Sequence, residues 1–585
     1  FGSPSCSTLS AMRTIFVVAL FALLCGNAIA WVPNDRSTTG GTNCAGCTLA
    51  VGILDQVAVV NKMAISDLVG KLCSYFKDPV KETCEYFVDT FGQDVVSLLA
   101  SGVSPDDVCL KLKFCKNPTC KIFTDPLDGS HRKLLSEEEW NIKPAGMMRT
   151  VAGILPHLKS TDGSDPFQWI KDLVNNIFDK HLPGVDIDGD RFSLVEGLRG
   201  SDWRGKDCDD GDNTVYPGRK STSHPDDVDH DCNGIKGTDP ASGKSYEDLY
   251  CADTPHYGIV VLGDSASAHF HIPPEYMNAS AIRPDTYNTV FDIASDEIDW
   301  PMLSTVTGHV SVNDTLHCPG PVDSIYMRMR ERNRCIHRDY QNIAVNGADM
   351  GSMNDTILPT LARDQQNDHP LLVFLLLIGN DVCNGHIDTL GDMTSVDKYR
   401  DELLSTLEKL DNMIPAGSHV VLGGTADGNL LYKYLHDQPH PIGATTTITY
   451  KQVYQYLSCL GVSPCEGWMN DNDTVRELTT ARNMAYDKVY QDLVSSSNKG
   501  ANYTNFDLIY LTSPLLDILT DWDAEGKNPA ELIEPVDGFH PGQIAQALEA
   551  KWMYEHLEEA YPEFLGEVNP HNDDIQKVFG DQGGY

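Results

Sequence analysis

Basic charge is what this chain has least of. Its 44 lysines and arginines stand against 84 aspartates and glutamates over 585 residues, a net charge of −40. Such a surface repels a phosphate backbone, so no nucleic-acid partner is expected. Long apolar runs are also scarce. Leu371–Ile378 is an apolar run of eight residues, far short of the roughly 20 that cross a bilayer. Thr14–Leu24 is too short for an anchor; it follows Met12-Arg13 and precedes Ala28-Ile29-Ala30. That is the pattern of a secretory signal peptide, Met12–Ala30, with residues 1–11 ahead of the first methionine looking like untranslated sequence. The expected destination is secreted, lysosomal or vesicular. Sequons at Asn278, Asn313, Asn354, Asn472 and Asn502 agree with that route as glycosylation sites.

Cysteine is not scarce: there are 17, and in a secretory chain they read as disulfide material. Cys6 and Cys25 leave with the leader. Cys44, Cys47, Cys73, Cys84, Cys109 and Cys115 crowd one short block, and Leu49–Val60 and Cys84–Ala100 between them carry apolar residues at helix period. No histidines are interleaved, which argues against zinc, while spacing alone leaves many pairings open. This block resembles saposin-like domains over about residues 42–118. The resemblance implies an all-α leaf that opens onto lipid, with pairs Cys44–Cys115, Cys47–Cys109 and Cys73–Cys84. Residues 119–165 then read as an exposed linker, its His131-Arg132-Lys133 a processing site. Cys120, just outside the leaf, is expected to reach the later domain through Cys459 or Cys465. Fifteen cysteines of the mature chain cannot all pair, so one thiol is left free.

The acidic excess concentrates in residues 166–255. Asp186, Asp188 and Asp190 alternate; Asp207, Asp209, Asp210 and Asp212 follow; then come Asp227, Asp229, Asp231 and Asn233. Carboxylates this close repel unless a hard cation joins them, and outside the cell that cation is calcium. The loop carbonyls of Phe192 and Val215 are candidates to complete the shell. An EF-hand is excluded, because Arg191 and Gly197 occupy the places of its turn glycine and bidentate glutamate. The pattern instead resembles the D-C-D-D…Y-P-G…D-x-D-C-x-G metal repeat, which implies an irregular, structural calcium-binding segment clipped by Cys208–Cys232.

From residue 256 to 560 apolar β-runs alternate with helical patterns, predicting a parallel sheet covered on both faces. Strands are expected at Ile259–Leu262, Tyr340–Val345, Leu371–Ile378, His419–Leu422 and Asp507–Leu511, and helices at Val396–Met413, Thr474–Ser496 and Gly542–His556. Residues 561–585 are left as a tail. The first strand ends at Gly263-Asp264-Ser265, which places a hydroxyl at a helix start where backbone N–H groups can hold an oxyanion. Gly347 and Asn380 follow the second and third strands, and Asp537-Gly538-Phe539-His540-Pro541 puts a carboxylate and an imidazole in one loop. A serine nucleophile needs such a base, and the base needs such an acceptor.

These blocks resemble the SGNH, or GDSL-type, hydrolases, with Ser265, Gly347, Asn380 and His540 in the family's order and Asp537 completing the triad. The serine block reads G-D-S-A rather than G-D-S-L, a change in a residue that does no chemistry. The resemblance implies a three-layer α/β, flavodoxin-like fold, a Ser265–Asp537–His540 mechanism, and an oxyanion hole from Ser265, Gly347 and Asn380. A saposin-like leaf, a calcium segment and this hydrolase on one chain resemble the acyloxyacyl hydrolase family. That implies release of secondary fatty acyl chains from lipid A of bacterial lipopolysaccharide, detoxifying it, and two disulfide-linked subunits. Contact with a membrane or micelle would run through the apolar faces of the leaf (Val51, Leu54, Val57, Val95, Leu98 and Leu99). Two other readings stand beside it: a general SGNH phospholipase or lipase acting on phospholipid, and a non-enzymatic lipid carrier. A carrier needs none of Ser265, Asp537 and His540.

Overall fold

Runs of leucine and β-branched residues without alternation form strands buried on both faces, and five of them build the centre of this protein. The computed structural model describes residues 41–61, 65–76, 80–123, 177, 180–220, 228–310, 318–384, 388–443, 445–497 and 503–585. The signal peptide, the expected processing site and the positions Asp227, Asn313 and Asn502 lie outside those residues.

Four helices open the described chain: α1 (Gly41–Val60), α2 (Ile65–Leu72), α3 (Val80–Ala100) and α4 (Pro105–Lys111). Cys44–Cys115 and Cys47–Cys109 staple α1 to the region of α4, and Cys73 is also disulfide-bonded. Helix α1 is apolar and long enough to cross a membrane, yet most of it is buried inside the domain. Val51, Leu54, Val57, Val95 and Leu99 close a core around Phe123. Gly52 is needed there, because a Cβ would sit 2.2 Å from the Phe123 ring. These faces were expected to receive lipid. Part of that surface is instead spent on packing, since Val453, Tyr456, Leu457 and Leu460 of the later domain join the same core.

The parallel sheet has strands β1 (Gly258–Gly263), β2 (Tyr340–Asn342), β3 (Leu371–Leu376), β4 (Ser418–Gly423) and β5 (Phe506–Leu511) in the order β2-β1-β3-β4-β5. Register is set by pairs such as Ile259 with Tyr340 and Leu372, and Val421 with Ile509. Alternate residues point to opposite faces. Val260, Leu262, Val373 and Leu422 pack on one side with α5 (Val396–Asp411) and α6 (Asp473–Ser497). Ile259, Val261, Phe374 and Val421 pack on the other with Met553 and Leu557 of α7 (Gln543–Ala560). The result is a three-layer α/β domain. Successive strands are added outward on one side of β1 (β2) and then on the other (β3, β4, β5), so the strand order reverses between β1 and β3, and ligands bind outside the carboxyl ends there.

Outside the sheet, Cys120 is bonded to Cys459, Cys251 to Cys335 and Cys383 to Cys465. The free thiol among the described residues is Cys318, which is buried. Of the described sequons, Asn472 is exposed and Asn278 and Asn354 are half-buried.

Candidate active site

The end of β1 is a tight place. A Cβ on Gly263 would lie 2.2 Å from Ser267 Oγ, so only glycine lets the strand turn into the short helix beginning at Ser265. Asp264, fully buried, caps that helix and fixes the turn. Its Oδ1 accepts from Ala266 N at 3.0 Å and its Oδ2 from Ile378 N at 2.9 Å, tying the serine turn to the end of β3. Burial holds the Asp264 pKa above its ordinary value, against the hydrogen bonds it accepts.

The loop before α7 brings the partners. His540 Nε2 lies 2.7 Å from Ser265 Oγ, and His540 Nδ1 is hydrogen-bonded to Asp537 Oδ2. Since Asp537 accepts the Nδ1 proton, Nε2 carries the lone pair that can take the proton of the serine hydroxyl. Asp537 Oδ1 also accepts from Phe539 N at 2.7 Å, and Gly538 supplies the left-handed backbone (φ 64°) that folds the loop back. Burial is the largest influence on the His540 pKa and pulls it down. The charge and hydrogen bond of Asp537 outweigh it, so the imidazole sits above its ordinary value. Burial likewise pushes Asp537 up, and His540 holds it below the ordinary carboxylate value. The pair therefore favours the imidazolium that would form when serine gives up its proton.

The other two expected positions converge on the same edge. The β2 segment continues to pair past its last residue, with Val345 N donating to Gly263 O at 3.1 Å, and turns at Gly347, whose φ is 72°. Asn380 Nδ2 donates to Ala348 O at 3.0 Å, locking the β3 loop to the Gly347 turn. An amide has a second N–H, so Asn380 still has one to offer a ligand. A serine with a base, an oriented base and convergent N–H donors is machinery for attack on an ester carbonyl.

Sequence reading missed the residues that hold this site in place. Glu534, fully buried, accepts from Val536 N at 2.8 Å and from Ile272 N at 3.2 Å, and it faces His271 Nδ1 at 3.2 Å. It thus bridges the loop of Asp537 to the chain leaving Ser265; burial, then the charge of Asp537, push its pKa up to about 7. Its sequence signal was a carboxylate three residues before Asp537. Gln546 Nε2 on α7 donates to Ala266 O at 2.8 Å, a contact with no local signature.

The acidic segment gathers some of its carboxylates and turns others away. Asp186, Asp188 and Asp210 form one group of ligand atoms within 4.8 Å of one another, and Asp188, Asp190 and Asp207 form a second. In both, outer oxygens are used by the backbone: Gly189 N donates to Asp186 Oδ1 at 2.7 Å, and Phe192 N to Asp190 Oδ1 at 2.9 Å. The inner oxygens, Oδ2 of Asp188, Asp190 and Asp207, are buried without a hydrogen-bond partner. Burial and then neighbouring carboxylates push Asp190 up to about 8 and Asp207 up to about 7. Buried, unpaired and mutually repelling oxygens fit a hard cation. Farther along, Asp231 and Asn233 are buried beside Asp229, whose Oδ1 is also buried and unpaired, and Cys208–Cys232 closes this loop. Asp209 and Asp212 are exposed, the latter occupied with Thr214, so the structure does not bring them into these groups. Phe192 and Val215 have buried side chains at the base of the loops.

Comparison with known proteins supplies the family. A Saposin-like domain model matches residues 43–152, and a GDSL-like Lipase/Acylhydrolase model matches residues 259–553. The acyloxyacyl hydrolase of Mus musculus is 36% identical over 98% of this chain and 99% of its own. Those of Oryctolagus cuniculus and Homo sapiens are 39% and 37% identical, over 93% and 98% of this chain and 93% and 100% of theirs. Both halves of the molecule, the stapled leaf and the serine-bearing sheet, are thus matched together and in the same order, and the chain belongs to the acyloxyacyl hydrolase family.

Proposed function

We propose that this protein hydrolyses the ester bonds that attach secondary fatty acyl chains to lipid A, with Ser265 as nucleophile. The observation that carries the reading is the 2.7 Å contact of Ser265 Oγ with an imidazole already oriented by Asp537. His540 Nε2 takes the hydroxyl proton as Oγ forms its bond to the acyl carbon. The carbonyl oxygen becomes an oxyanion, received by N–H groups of Ser265, Gly347 and Asn380. The tetrahedral intermediate collapses, the ester C–O bond breaks, and His540 gives its proton to the departing oxygen, which stays on the primary acyl chain as a hydroxyl. Water, deprotonated by the same imidazole, then releases the fatty acid and regenerates Ser265.

Mass spectrometry of lipid A before and after incubation tests this. Losses equal to one or more secondary acyl chains, with the primary chains retained, are expected. Unchanged lipid A together with fatty acid release from phospholipid would replace the reading with that of a general SGNH phospholipase.

The saposin-like leaf is the part that meets the lipid. Each CH₂ drawn from an aggregate into water costs about 0.8 kcal/mol, so an ester reaches Ser265 only if an apolar surface receives the chains around it. Residues of the acidic segment would hold calcium: Asp186, Asp188, Asp190, Asp207 and Asp210 in the first groups, and Asp229, Asp231 and Asn233 beyond. When bound, that ion neutralises carboxylates and fixes loops, and it takes no part in the ester chemistry.

The chain is read as secreted or lysosomal, entering the pathway through Met12–Ala30, and as cut between about residues 128 and 165 into two subunits. The bond between Cys120 and Cys459 supports their remaining joined. A denaturing gel should show one species without reductant and two with it. Two species without reductant would rule out that bridge as the link.

A further inference from the structure

The loop bearing Asp537 and His540 is gripped by hydrogen bonds that begin in the other domain. Gln56 is fully buried on α1; its Nε2 donates to Ile442 O at 2.8 Å, and its Oε1 accepts from Thr445 Oγ1 at 2.5 Å. Ile442 N in turn donates to His440 Nδ1 at 3.1 Å. That donation settles the tautomer, because Nδ1 must carry the lone pair and Nε2 the proton. His440 Nε2–H then donates to Val536 O at 2.6 Å, one residue before Asp537. Burial lowers the His440 pKa to about 4, so the neutral form is the one present well above that value.

The helix Tyr450–Leu460 reinforces the grip by using two faces. Val453, Tyr456, Leu457 and Leu460 lie in the core of the saposin-like leaf, and Cys459 on this helix is bonded to Cys120. Tyr450 and Tyr454 point the other way. Their hydroxyls donate to Pro535 O at 2.5 Å and to Gly538 O at 2.7 Å. A Cβ on Gly538 would lie 2.7 Å from both tyrosines, so the loop is pressed directly against them. Three carbonyls of the seven-residue loop Glu534–His540 are thus held by side chains of one segment, which is itself seated on α1.

We propose that His440 is a positioning residue for the Asp537–His540 loop, and that its hydrogen-bond chain to Gln56 makes the seat of the saposin-like leaf a determinant of turnover at Ser265. The effect is distinct from lipid capture, and it rests on the reading of Ser265, Asp537 and His540 as the catalytic set. The leaf therefore acts on substrates that never touch its lipid surface.

The test uses the full-length protein and a short soluble ester, p-nitrophenyl butyrate, with thermal melting followed for each variant. His440→Leu should lower kcat roughly 10-fold or more with KM changed less than about twofold, since a small misplacement of a catalytic group is costly. His440→Gln, which keeps an N–H able to reach Val536 O, should recover most of that loss. Gln56→Leu, in the other domain, should lower kcat on the same ester, and its effect should be non-additive with that of His440→Leu. If His440→Leu does not fold, Tyr454→Phe removes one hydroxyl from the same grip and should lower kcat alone. Unchanged kcat in Gln56→Leu, or strict additivity, overturns the proposal while leaving a dead Ser265→Ala enzyme explained. An active Ser265→Ala enzyme would remove the catalytic reading and this one with it.

Discussion

Ser265→Ala is expected to abolish ester hydrolysis, with a loss of roughly 10⁴–10⁶ in kcat, while folding and lipid binding stay intact. The side chain is buried at a glycine-framed turn, and its hydroxyl has the His540 imidazole at 2.7 Å. Removing one oxygen therefore leaves no cavity of consequence but deletes the atom that forms the acyl-enzyme. His540→Ala should fall by a similar factor, and combining the two should cost little more, because residues that act as one unit are non-additive. Asn380→Ala should be milder, on the order of 10²–10³, the cost of one oxyanion donor. Burst kinetics with p-nitrophenyl butyrate separate these cases. The nucleophile variant forms no acyl-enzyme, whereas the Asn380 variant forms it slowly. Wild-type rates in Ser265→Ala, or a larger loss in Asn380→Ala than in His540→Ala, would refute the roles assigned.

Much of this site was legible because its chemistry sits at strand ends. An apolar run announces where a buried strand stops, and Ser265, Gly347 and Asn380 are each the small or polar residue that follows one. Asp537 and His540 are legible for another reason: they stand three positions apart in one loop. His440 and Tyr454 were silent, and Glu534 showed only its place three residues before Asp537. Their roles depend on the partners Val536, Gly538 and Ile272, which are 96, 84 and 262 positions away. No periodicity reports such contacts. The same limit applied to cysteine. The spacing left both Cys459 and Cys465 open to Cys120, and only the packing of the helix Tyr450–Leu460 on α1 selects Cys459, leaving Cys465 to Cys383. Strand length was overestimated at β2, where pairing geometry lapses after Asn342 although single hydrogen bonds run on to Val345. In the acidic segment, composition pointed to a cation but not to which carboxylates turn inward.

That segment yields a prediction whose sign reverses with calcium. Asp190 and Asp207 have pKa values pushed up to about 8 and about 7 when no ion neutralises them. The ordinary carboxylate value is near 4, so the folded, calcium-free chain binds more protons than the unfolded chain between roughly pH 4 and 8. Its stability must therefore fall as pH rises through that window. Bound calcium would invert the situation by holding the ionised forms, and would add stability by mass action, about 2.7 kcal/mol at a free concentration one hundred times Kd. Chelation at pH 7.5 should accordingly lower Tm by roughly 5 °C, and the loss should shrink toward pH 5. Asp190→Asn separates the two effects. It removes a repelling charge, so with a chelator present it should melt no lower than the parent chain. With calcium present it should melt lower, because one ligand oxygen is gone. Elemental analysis without calcium, or an Asp190→Asn variant that melts identically to the parent in both conditions, would show that these carboxylates do not form a cation site.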